Sequence, residues 1–433
     1  MGPFGSNIKA ENFTTSGVPV IKGGNLNGTY IHDSFTDFLT EDKAAELASS
    51  QARPLDIVIT HRGTLGQVGL IPERSRYPYY VVSQSQLKLS FDQAKVDPYF
   101  IYYFLRSPLG QQRLLANTSQ VGVPAIAQAL TTIRQIQIAL PSLEEQRNIC
   151  SMLRLLDDRI TLLRETNATL EAIAQALFKS WFVDFDPVRA KMEGRMPEGM
   201  DEATAALFPD GFETSELGEV PRGWRVGCID DICSTVTNGG TPSRSKTEYW
   251  EQGTIPWFKT GEFHDGFLLQ PSERITNAAL IGSSVKLLPK DAVLMAIYAA
   301  PTVGRLGILV EPATFNQACT GMVARNEVGP WFLFWTLFNG RDWFNSRANG
   351  AAQQNISKAI VSAYRTVIPP NPVLDSFNLV ASGIHEAIRM NTEKAMTLST
   401  LRDTLLPRLI SGQLRLPEAQ ATTEAALGGV PQA

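Results

Sequence analysis

A heptad seam constrains this chain more than any other feature of its sequence. Between Leu143 and Trp181, apolar residues recur at alternating steps of four and three, in a run without Pro or Gly. This spacing is typical of a long helix that packs along a second helix. The seam consists of Ile149, Leu153, Leu156, Ile160, Leu163, Asn167, Leu170, Ala174, Leu177 and Trp181.

The same pattern recurs 228 residues later in the chain. Nine of its ten positions fit a seam, and the exception is Arg402, beside which Leu401 could serve. Two similar helices so far apart predict one antiparallel pair built from a duplicated unit. The second seam consists of Phe377, Ala381, Ile384, Ile388, Asn391, Ala395, Leu398, Arg402, Leu405 and Leu409.

Each seam contains one asparagine, and the two asparagines face each other if the seams align end to end. A buried polar residue at such a position usually costs stability and fixes the register of the helices. The alternative is that each asparagine lies in a wet, frayed part of its helix. We favour the facing pair and predict that Asn167 and Asn391 set the register.

The sequences that flank the two helices are also duplicated. A shift of 237 residues aligns an ungapped block near the N-terminus with a block after residue 238. Short strands, Gly-rich turns and then helices predict one α+β lobe in each copy. The aligned pairs are Gly2 and Gly239, Ser6 and Ser243, Lys9 and Lys246, Glu11 and Glu248, Phe13 and Trp250, Pro19 and Pro256, Lys22 and Lys259, and Gly24 and Gly261.

The predicted fold class is therefore α+β, with two duplicated α+β domains separated by two long antiparallel coiled-coil helices. The predicted segments are lobe 1 (1–142), a first helix (143–182), a connector (183–221), lobe 2 (222–372), a second helix (373–412) and a disordered tail (413–433). Lobe 2 has a lead-in, residues 219–236, that has no counterpart in lobe 1. Either lobe 1 lacks this first strand and turn, or another segment fills their place.

Composition limits the functional classes. No apolar run approaches the ~20 residues of a membrane span, and four scattered cysteines predict a reducing cytoplasm and no zinc site. The net charge is +2 for residues 1–142, −8 for 143–220, +3 for 221–370 and −1 for 371–433. A polyanion would therefore bind the lobes and not the acidic helical segments.

Motifs of catalysis are scarce. The sequence contains neither a GxxxxGK[ST] phosphate loop nor a GxGxxG fingerprint. Ser6 with Lys9, and Ser243 with Lys246, match the serine–lysine spacing of β-lactamase-like enzymes, but the Ser-Asp-Asn and Lys-Thr-Gly partners are absent. In a Gly-rich turn these residues fit contacts to phosphate oxygens better, and a plain solvated loop is the alternative.

Other polar residues of the lobes are candidates for DNA contacts. Lys22 and Lys259 could reach phosphates or lie along the surface, and Gln84 and Gln317 could pair with adenine or close a turn. Arg62 could read guanine, and lobe 2 has Ala300 and Pro301 at that turn. The full candidate set is Ser6, Lys9, Lys22, Arg62, Gln84, Ser243, Arg244, Lys246, Lys259, Tyr298, Arg305 and Gln317.

Taken together, these residues resemble the specificity subunit of type I restriction–modification systems over essentially the whole chain. The resemblance rests on the two lobes, each followed by a long helix, and on five short segments. These are Leu143–Gln146, Phe178–Pro187, Pro197–Asp201, Leu207–Asp210 and Pro221–Trp224. The second helix differs, because Asn371–Asp375 replaces the usual Leu-Glu-Glu-Gln.

The resemblance implies a non-catalytic DNA reader without a cofactor of its own. Each lobe would read one half of a split site in double-stranded DNA, and the helices would dock two methyltransferase subunits that bind S-adenosylmethionine. Motor–nuclease subunits would use ATP and magnesium. Two other hypotheses remain: an assembly protein that binds methyltransferase subunits without reading DNA, and a hydrolase that uses Ser243 and Lys246.

The helix pair also predicts a ruler for the DNA site. The seam from Ile149 to Trp181 spans 32 residue steps, or roughly 50 Å at about 1.5 Å per residue. That length corresponds to on the order of fifteen base pairs at about 3.4 Å each. Deleting one heptad from both helices should shorten the unread DNA spacer. Mapping of methylated sites would measure this spacer, and an unchanged length would contradict the ruler.

Overall fold

A computed structural model describes residues 8–28, 30–31, 34–119, 122–298, 302–348, 355–419, 421 and 423. The chain forms two compact units, Met1–Leu163 with Lys394–Ala433, and Arg164–Glu393. Unit 1 contains lobe 1 and unit 2 contains lobe 2, and parts of both long helices belong to each unit.

The described part of lobe 1 contains short strands and four α-helices. Its strands are β1 (Val18–Ile21), β2 (Phe38–Leu39), β3 (Gln51–Ala52), β4 (Ile57–Thr60), β5 (Val68–Leu70), β6 (Tyr80–Val82), β7 (Gln86–Leu89), β8 (Thr118–Ser119) and β9 (Ala125–Ile126). Its helices are α1 (Glu41–Glu46), α2 (Pro98–Arg106), α3 (Pro108–Leu114) and α4 (Ala129–Arg134). The sheets have the orders β2-β1-β6-β3, β5-β4-β7 and β8-β9.

The sequence explains why α2 begins where it does. Pro98 occupies the first helical turn, where a missing backbone N–H costs nothing, and the Asp97 side chain accepts a hydrogen bond from the Tyr99 N–H. Residues Pro98–Leu105 are all buried. This apolar helix packs with strands β4 and β5 and with the long helix that follows lobe 1, and together they form the core of unit 1.

The first long helix, α5 (Leu143–Phe182), has 40 residues and leads into the connector. The connector contains α6 (Asp186–Met192), α7 (Glu202–Ala206) and the hairpin of β10 (Phe212–Ser215) and β11 (Gly218–Pro221). Its aromatic residue Phe208 contacts Trp181 and Trp224, with ring centroids 5.2 and 6.1 Å away. This acidic segment is therefore held to unit 2 by buried aromatic rings.

Lobe 2 repeats the central three-stranded sheet of lobe 1 with two additional strands, one on each side. Its strands are β12 (Arg225–Cys228), β13 (Cys233–Asn238), β14 (Ile255–Phe258), β15 (Gly266–Leu268), β16 (Glu273–Ile275), β17 (Val293–Ala296), β18 (Leu306–Leu309), β19 (Thr314–Phe315), β20 (Cys319–Ala324) and β21 (Arg365–Ile368). Its helices are α8 (Ile229–Ile232), α9 (Asn277–Gly282), α10 (Pro330–Asn339), α11 (Arg341–Ser346) and α12 (Lys358–Ser362). The sheets have the orders β13-β20-β17-β18-β15, β16-β14-β19 and β12-β21.

The second long helix, α13 (Asn371–Ile410), also has 40 residues and runs antiparallel to α5. In unit 2, Asn167 meets Asn391 and Phe178 meets Phe377, so residue numbers rise along one helix as they fall along the other. In unit 1, seam residues of both helices, such as Leu153 and Leu405, share one buried cluster. The predicted α+β fold with a long antiparallel helix pair is confirmed.

The two asparagines lie in one polar layer of the seam. The Asn391 amide donates to Asn167 Oδ1 at 3.0 Å, and Asn167 Nδ2 donates to the Ile388 carbonyl at 3.1 Å and to Thr392 Oγ1 at 3.0 Å. The facing side chains therefore satisfy each other and the backbone. Their proposed role in setting the register stays a prediction.

Arg402 does not break the seam, because it has a buried acidic partner. Its guanidinium donates to Oδ1 of Asp157 at 2.5 Å, and the Asp157 side chain is only 2% exposed. Oδ2 of Asp157 accepts a hydrogen bond of 2.8 Å from the Tyr103 hydroxyl on α2. Burial and the neighbouring carboxylate raise the pKa of Tyr103, so the phenol stays protonated and can donate.

In unit 2 a histidine joins α13 to α10. His385 is 4% exposed and stacks on Trp331 with a centroid distance of 3.7 Å, while the Trp335 indole N–H donates to its Nε2 at 3.0 Å. Burial lowers the pKa of His385 to about 3, so the ring is neutral and can accept this bond. Each lobe is thus attached to the long helix that follows it by a buried polar contact.

The first residues of the segment predicted as a disordered tail are packed in the structure. Leu414 is 8% exposed and Ala419 is fully buried, and both belong to the core cluster of unit 1.

All four cysteines carry free thiols. Among the helices of the described ranges, none combines the length and the apolar character needed to cross a bilayer.

The Arg402–Asp157 pair allows a stability test. Arg402→Met should destabilise the chain by about 3–5 kcal/mol, because it leaves a buried carboxylate without its cation. Adding Asp157→Leu should recover most of this loss, since no unpaired charge then remains. The measurement is the midpoint of chemical unfolding for both variants.

Arg408→Met is the matched control, because Arg408 lies on the same helix with an exposed side chain. Its effect should stay within about 0.5 kcal/mol. Equal losses in the single and double variants would show that Asp157 carries no uncompensated charge.

Candidate nucleic-acid interface

In lobe 1, two parallel strands end side by side and place candidate residues together. Strand β1 pairs with β6, with Ile21 opposite Val82. The Ser83 N–H donates to the Ile21 carbonyl at 3.0 Å. Lys22 and Ser83 are therefore the first residues after the two strand ends. Lys22 and Gln84 therefore emerge at the same edge of the sheet, although 62 positions separate them in the sequence.

Lobe 2 has the same arrangement. Strands β14 and β19 are parallel, with Phe258 opposite Phe315, and the Asn316 N–H donates to the Phe258 carbonyl at 3.0 Å. Lys259 and Gln317 follow these strand ends. The predicted equivalence of Lys22 with Lys259, and of Gln84 with Gln317, thus corresponds to equivalent places in two folded lobes.

A third residue joins each edge through the backbone. The His61 N–H donates to the Ser85 carbonyl at 3.0 Å, and His61 Nε2 lies 3.1 Å from the Gln84 carbonyl oxygen. In lobe 2 the Ile297 N–H donates to the Ala318 carbonyl at 2.8 Å. The residues that come next are Arg62 and Tyr298.

A second backbone contact also indicates that Arg62 and Tyr298 occupy equivalent positions in the two lobes. Arg62 forms an isolated bridge with Ala125, and Tyr298 forms one with Asn355. The residues that follow Ala125 and Asn355 also form matching hydrogen bonds. The Ile126 N–H donates to the His61 carbonyl, and the Ile356 N–H donates to the Ile297 carbonyl. The sequence comparison placed Ala300 and Pro301 opposite this turn. Those two residues lie outside the described ranges, and the hydrogen bonds place Tyr298 there.

We call Lys22, Arg62 and Gln84 the lobe 1 edge, and Lys259, Tyr298 and Gln317 the lobe 2 edge. Arg62, Gln84, Tyr298 and Gln317 are exposed, whereas the two lysines are half-buried. The Oε1 atom of Gln317 accepts a hydrogen bond from the Thr241 hydroxyl, so this side chain is oriented by its own lobe.

Both edge lysines already have acidic partners. Lys22 Nζ lies 2.9 Å from Asp37 and 4.7 Å from the centre of the Phe13 ring, and Lys259 Nζ lies 2.8 Å from Glu273. The local backbone contacts of the two lysines are also alike, because the backbone N–H of each donates to the side chain three residues later. The sequence contains no signal for these acidic partners, because they come from distant strands and loops.

Arg244 shares the acidic partner of Lys259. Its guanidinium donates to Glu273 Oε2 at 3.0 Å and lies 3.7 Å from the centre of the Trp250 ring. The Arg244 guanidinium, followed by the Lys259 ammonium, lowers the pKa of Glu273 to about 2. Two of the cations predicted to bind DNA in lobe 2, Arg244 and Lys259, thus belong to one ion-pair cluster with Glu273.

The serine–lysine motifs do not form a catalytic pair in the described residues. Ser243 Oγ lies 2.8 Å from Ser245 Oγ, whereas Lys246 Nζ donates to the Tyr249 hydroxyl at 3.0 Å. A nucleophile and its base would have to be within hydrogen-bond reach. In lobe 1, Lys9 lies 3.5 Å from Glu11 with both side chains exposed, and Ser6 lies outside the described ranges.

Arg305 lies beside the lobe 2 edge, immediately before β18. Its carbonyl accepts the Ala296 N–H at 2.9 Å, and its side chain is half-buried. Gln67 holds this place in lobe 1, where its carbonyl accepts the Thr60 N–H at 3.1 Å. Gln67 was missed by the sequence comparison, and its amide donates to Gly23 O and Asn27 Oδ1.

Neither edge has the composition of a metal site. Within the ranges that the structure describes, no group of three His, Cys, Asp or Glu side chains could hold a metal ion. The chemistry available is that of hydrogen-bond donors and acceptors on an exposed rim. A guanidinium and amides at such a rim can pair with the edges of bases.

The chain is similar to known proteins over most of its length. The family model described as Type I restriction modification DNA specificity domain matches residues 5–172 and 221–373. The chain is 27% identical to the HindI specificity subunit of Haemophilus influenzae over 382 residues, which cover 77% of this chain and 81% of that protein.

A second relative and a solved structure cover nearly the whole chain. The MjaIX specificity subunit of Methanocaldococcus jannaschii is 24% identical over 424 residues, 95% of this chain and 90% of that protein. The crystal structure of a type I restriction-modification S subunit from M. genitalium has a TM-score of 0.55 at 15% identity, covering 93% of this chain and 91% of that one. That likeness concerns the fold.

The ion-pair cluster of lobe 2 predicts a pH effect. Because the folded pKa of Glu273 is depressed, its pairing stabilises the chain above the unfolded pKa of 4.5, and this contribution is lost as pH falls towards 2. Glu273→Gln should cost about 1 kcal/mol at pH 7, since the site is partly solvated. The free energy of unfolding of this variant should also fall less steeply than that of wild type between pH 4.5 and 2.

Urea unfolding at a series of pH values measures both effects. Glu311→Gln is the control, because Glu311 pairs with Arg274 at 3.6 Å and is 50% exposed. It should change stability by less than about 0.5 kcal/mol. The same slope in wild type and Glu273→Gln would contradict the assignment.

Proposed function

Because the chain belongs to the family of type I restriction–modification DNA specificity proteins, we propose that it is the DNA-reading subunit of such a complex. Lobe 1 reads one half of a bipartite site, and lobe 2 reads the other. The chain itself catalyses no reaction. The observation that carries this proposal is the duplicated edge, which presents Arg62 in one lobe and Tyr298 in the other.

The difference between the two edges supports two different half-sites. An exposed guanidinium can donate two parallel hydrogen bonds to O6 and N7 of guanine. A tyrosine cannot do this, and offers one hydroxyl and an apolar ring face instead. Two lobes that share a backbone framework but carry different edge side chains are what an asymmetric DNA site requires.

The glutamines are common to both edges. Each can pair bidentately with N6 and N7 of adenine, which is the base that the resemblance implies the methyltransferase subunits methylate. Gln84 presents an exposed side chain, whereas the Gln317 side chain accepts a hydrogen bond from Thr241. The two glutamines therefore differ in how far they are preorganised for a base.

The lysines serve the DNA backbone in this proposal. A phosphate that approaches Lys22 or Lys259 has to replace Asp37 or Glu273 as the partner of the ammonium group. This exchange makes non-specific binding weak, because part of the attraction is already satisfied within the lobe. It is consistent with net charges of only +2 and +3 on residues 1–142 and 221–370.

The long helices serve assembly. We propose that they dock two methyltransferase subunits carrying S-adenosylmethionine, and that motor–nuclease subunits using ATP and magnesium complete the complex. The exposed apolar residues of α5, Leu155 at 63%, Leu162 at 51% and Ile173 at 50%, support a docking role for this helix. The four free thiols support a reducing cytoplasm as the place of action.

The test is to co-express the chain with its methyltransferase subunit and to map methylated adenines by long-read sequencing. A split motif with two defined halves is expected. Arg62→Ala should relax one base pair in one half only, by about 1–3 kcal/mol of discrimination. Tyr298→Ala should change only the other half.

Arg74→Ala is the matched control for Arg62, because Arg74 is an exposed arginine of lobe 1 beyond the far end of β5. It should leave the motif unchanged. Relaxation of both halves by Arg62→Ala would contradict the division of labour. A stable complex without any methylation would favour the assembly protein instead.

A further inference from the structure

One continuous segment completes two sheets of lobe 2. In Arg225–Asn238, β12 pairs with β21, α8 makes one helical turn, and β13 pairs with the outer side of β20. The side chains of Ile229 and Ile232 are fully buried, and Cys233 is 4% exposed. The segment therefore supplies both a strand edge and part of the core of unit 2.

Lobe 1 contains the elements that would receive such a segment. Strand β7 corresponds to β20, because both follow the same turn and both pair antiparallel with the central strand, β4 or β17. Residues 135–140 correspond to β21, because each leads into the long helix that follows its lobe. Both recipients are thus present in lobe 1.

In the described part of lobe 1, neither recipient has the strand that its counterpart has. Strand β7 pairs only with β4, and its outer edge bonds to no other strand there. Residues 135–140 belong to no strand. Open strand edges are templates for pairing with another polypeptide segment.

The apolar side chains around this site are correspondingly exposed. Leu140, just before α5, is 49% exposed, and Ile133 on α4 is half-buried. In lobe 2, Ile368 just before α13 is 4% exposed, and Val361 on α12 is fully buried. The residue types are alike, and what differs is the presence of the covering segment.

We propose that the outer edge of β7, with residues 135–140 and α4, is a docking site for a strand–turn–strand segment of the same chemistry as Arg225–Asn238. The occupant is a polypeptide of about fourteen residues with apolar side chains on its helical turn. Lobe 2 argues for this occupant, because it holds such a segment on the equivalent surface. The proposal does not depend on the DNA that the chain reads.

The experiment adds a synthetic peptide of residues 222–238 to the full chain in reducing buffer and follows backbone amide exchange by mass spectrometry. The peptide should slow exchange at least tenfold in β7 and in residues 135–140. Strand β20 and β21 should be unaffected, because they are already paired. A peptide with Ile229→Asp and Ile232→Asp is the control, and should give no protection.

Three results would overturn the proposal. Unchanged exchange at saturating peptide would show that the edge accepts no such segment. Protection without peptide that grows with protein concentration would identify a second copy of the chain as the occupant. Slow exchange of β7 in the dilute chain alone would mean that another part of the chain covers this edge.

Discussion

The seam between the two long helices is the interaction on which the rest of this structure depends. Leucine layers alone would stabilise several alignments, because one apolar layer resembles the next. We expect the polar layers to remove that freedom, since a shifted register would bury Asp157 without Arg402 and separate Asn167 from Asn391. In this interpretation the seam combines apolar burial, which supplies stability, with polar pairs that favour one alignment over the others.

The lobes are attached to this seam by different chemistry in the two units. In unit 1 the hydroxyl of Tyr103 reaches the same Asp157 that pairs with Arg402, so the helix pair and α2 share one network. In unit 2 the neutral His385 accepts from Trp335 and stacks on Trp331. A lobe orientation that depends on buried hydrogen bonds is stiff, because leaving any of these groups unpaired is costly.

The sequence predicts the long helices and the duplication well, because both are periodic signals that need no knowledge of distant contacts. It predicts less about the edges. Lys22 and Gln84 come to the same sheet edge only because β1 and β6 are parallel, and the match of Arg62 with Tyr298 depends on loops of different length. Arg402 looked like an exception for the same reason, since its partner is 245 positions away. Glu273, which neutralises two predicted cations, has no local signature at all.

The edges also have a consequence for how such a protein changes over generations. The backbone hydrogen bonds of His61, Ser85 and Ile126, and their equivalents in lobe 2, hold the rim without any help from the side chains of Arg62 or Tyr298. Substitutions at those two positions therefore barely affect folding. The residues that we propose to face the DNA can therefore change while the framework stays intact, so new preferences can arise without a period of instability.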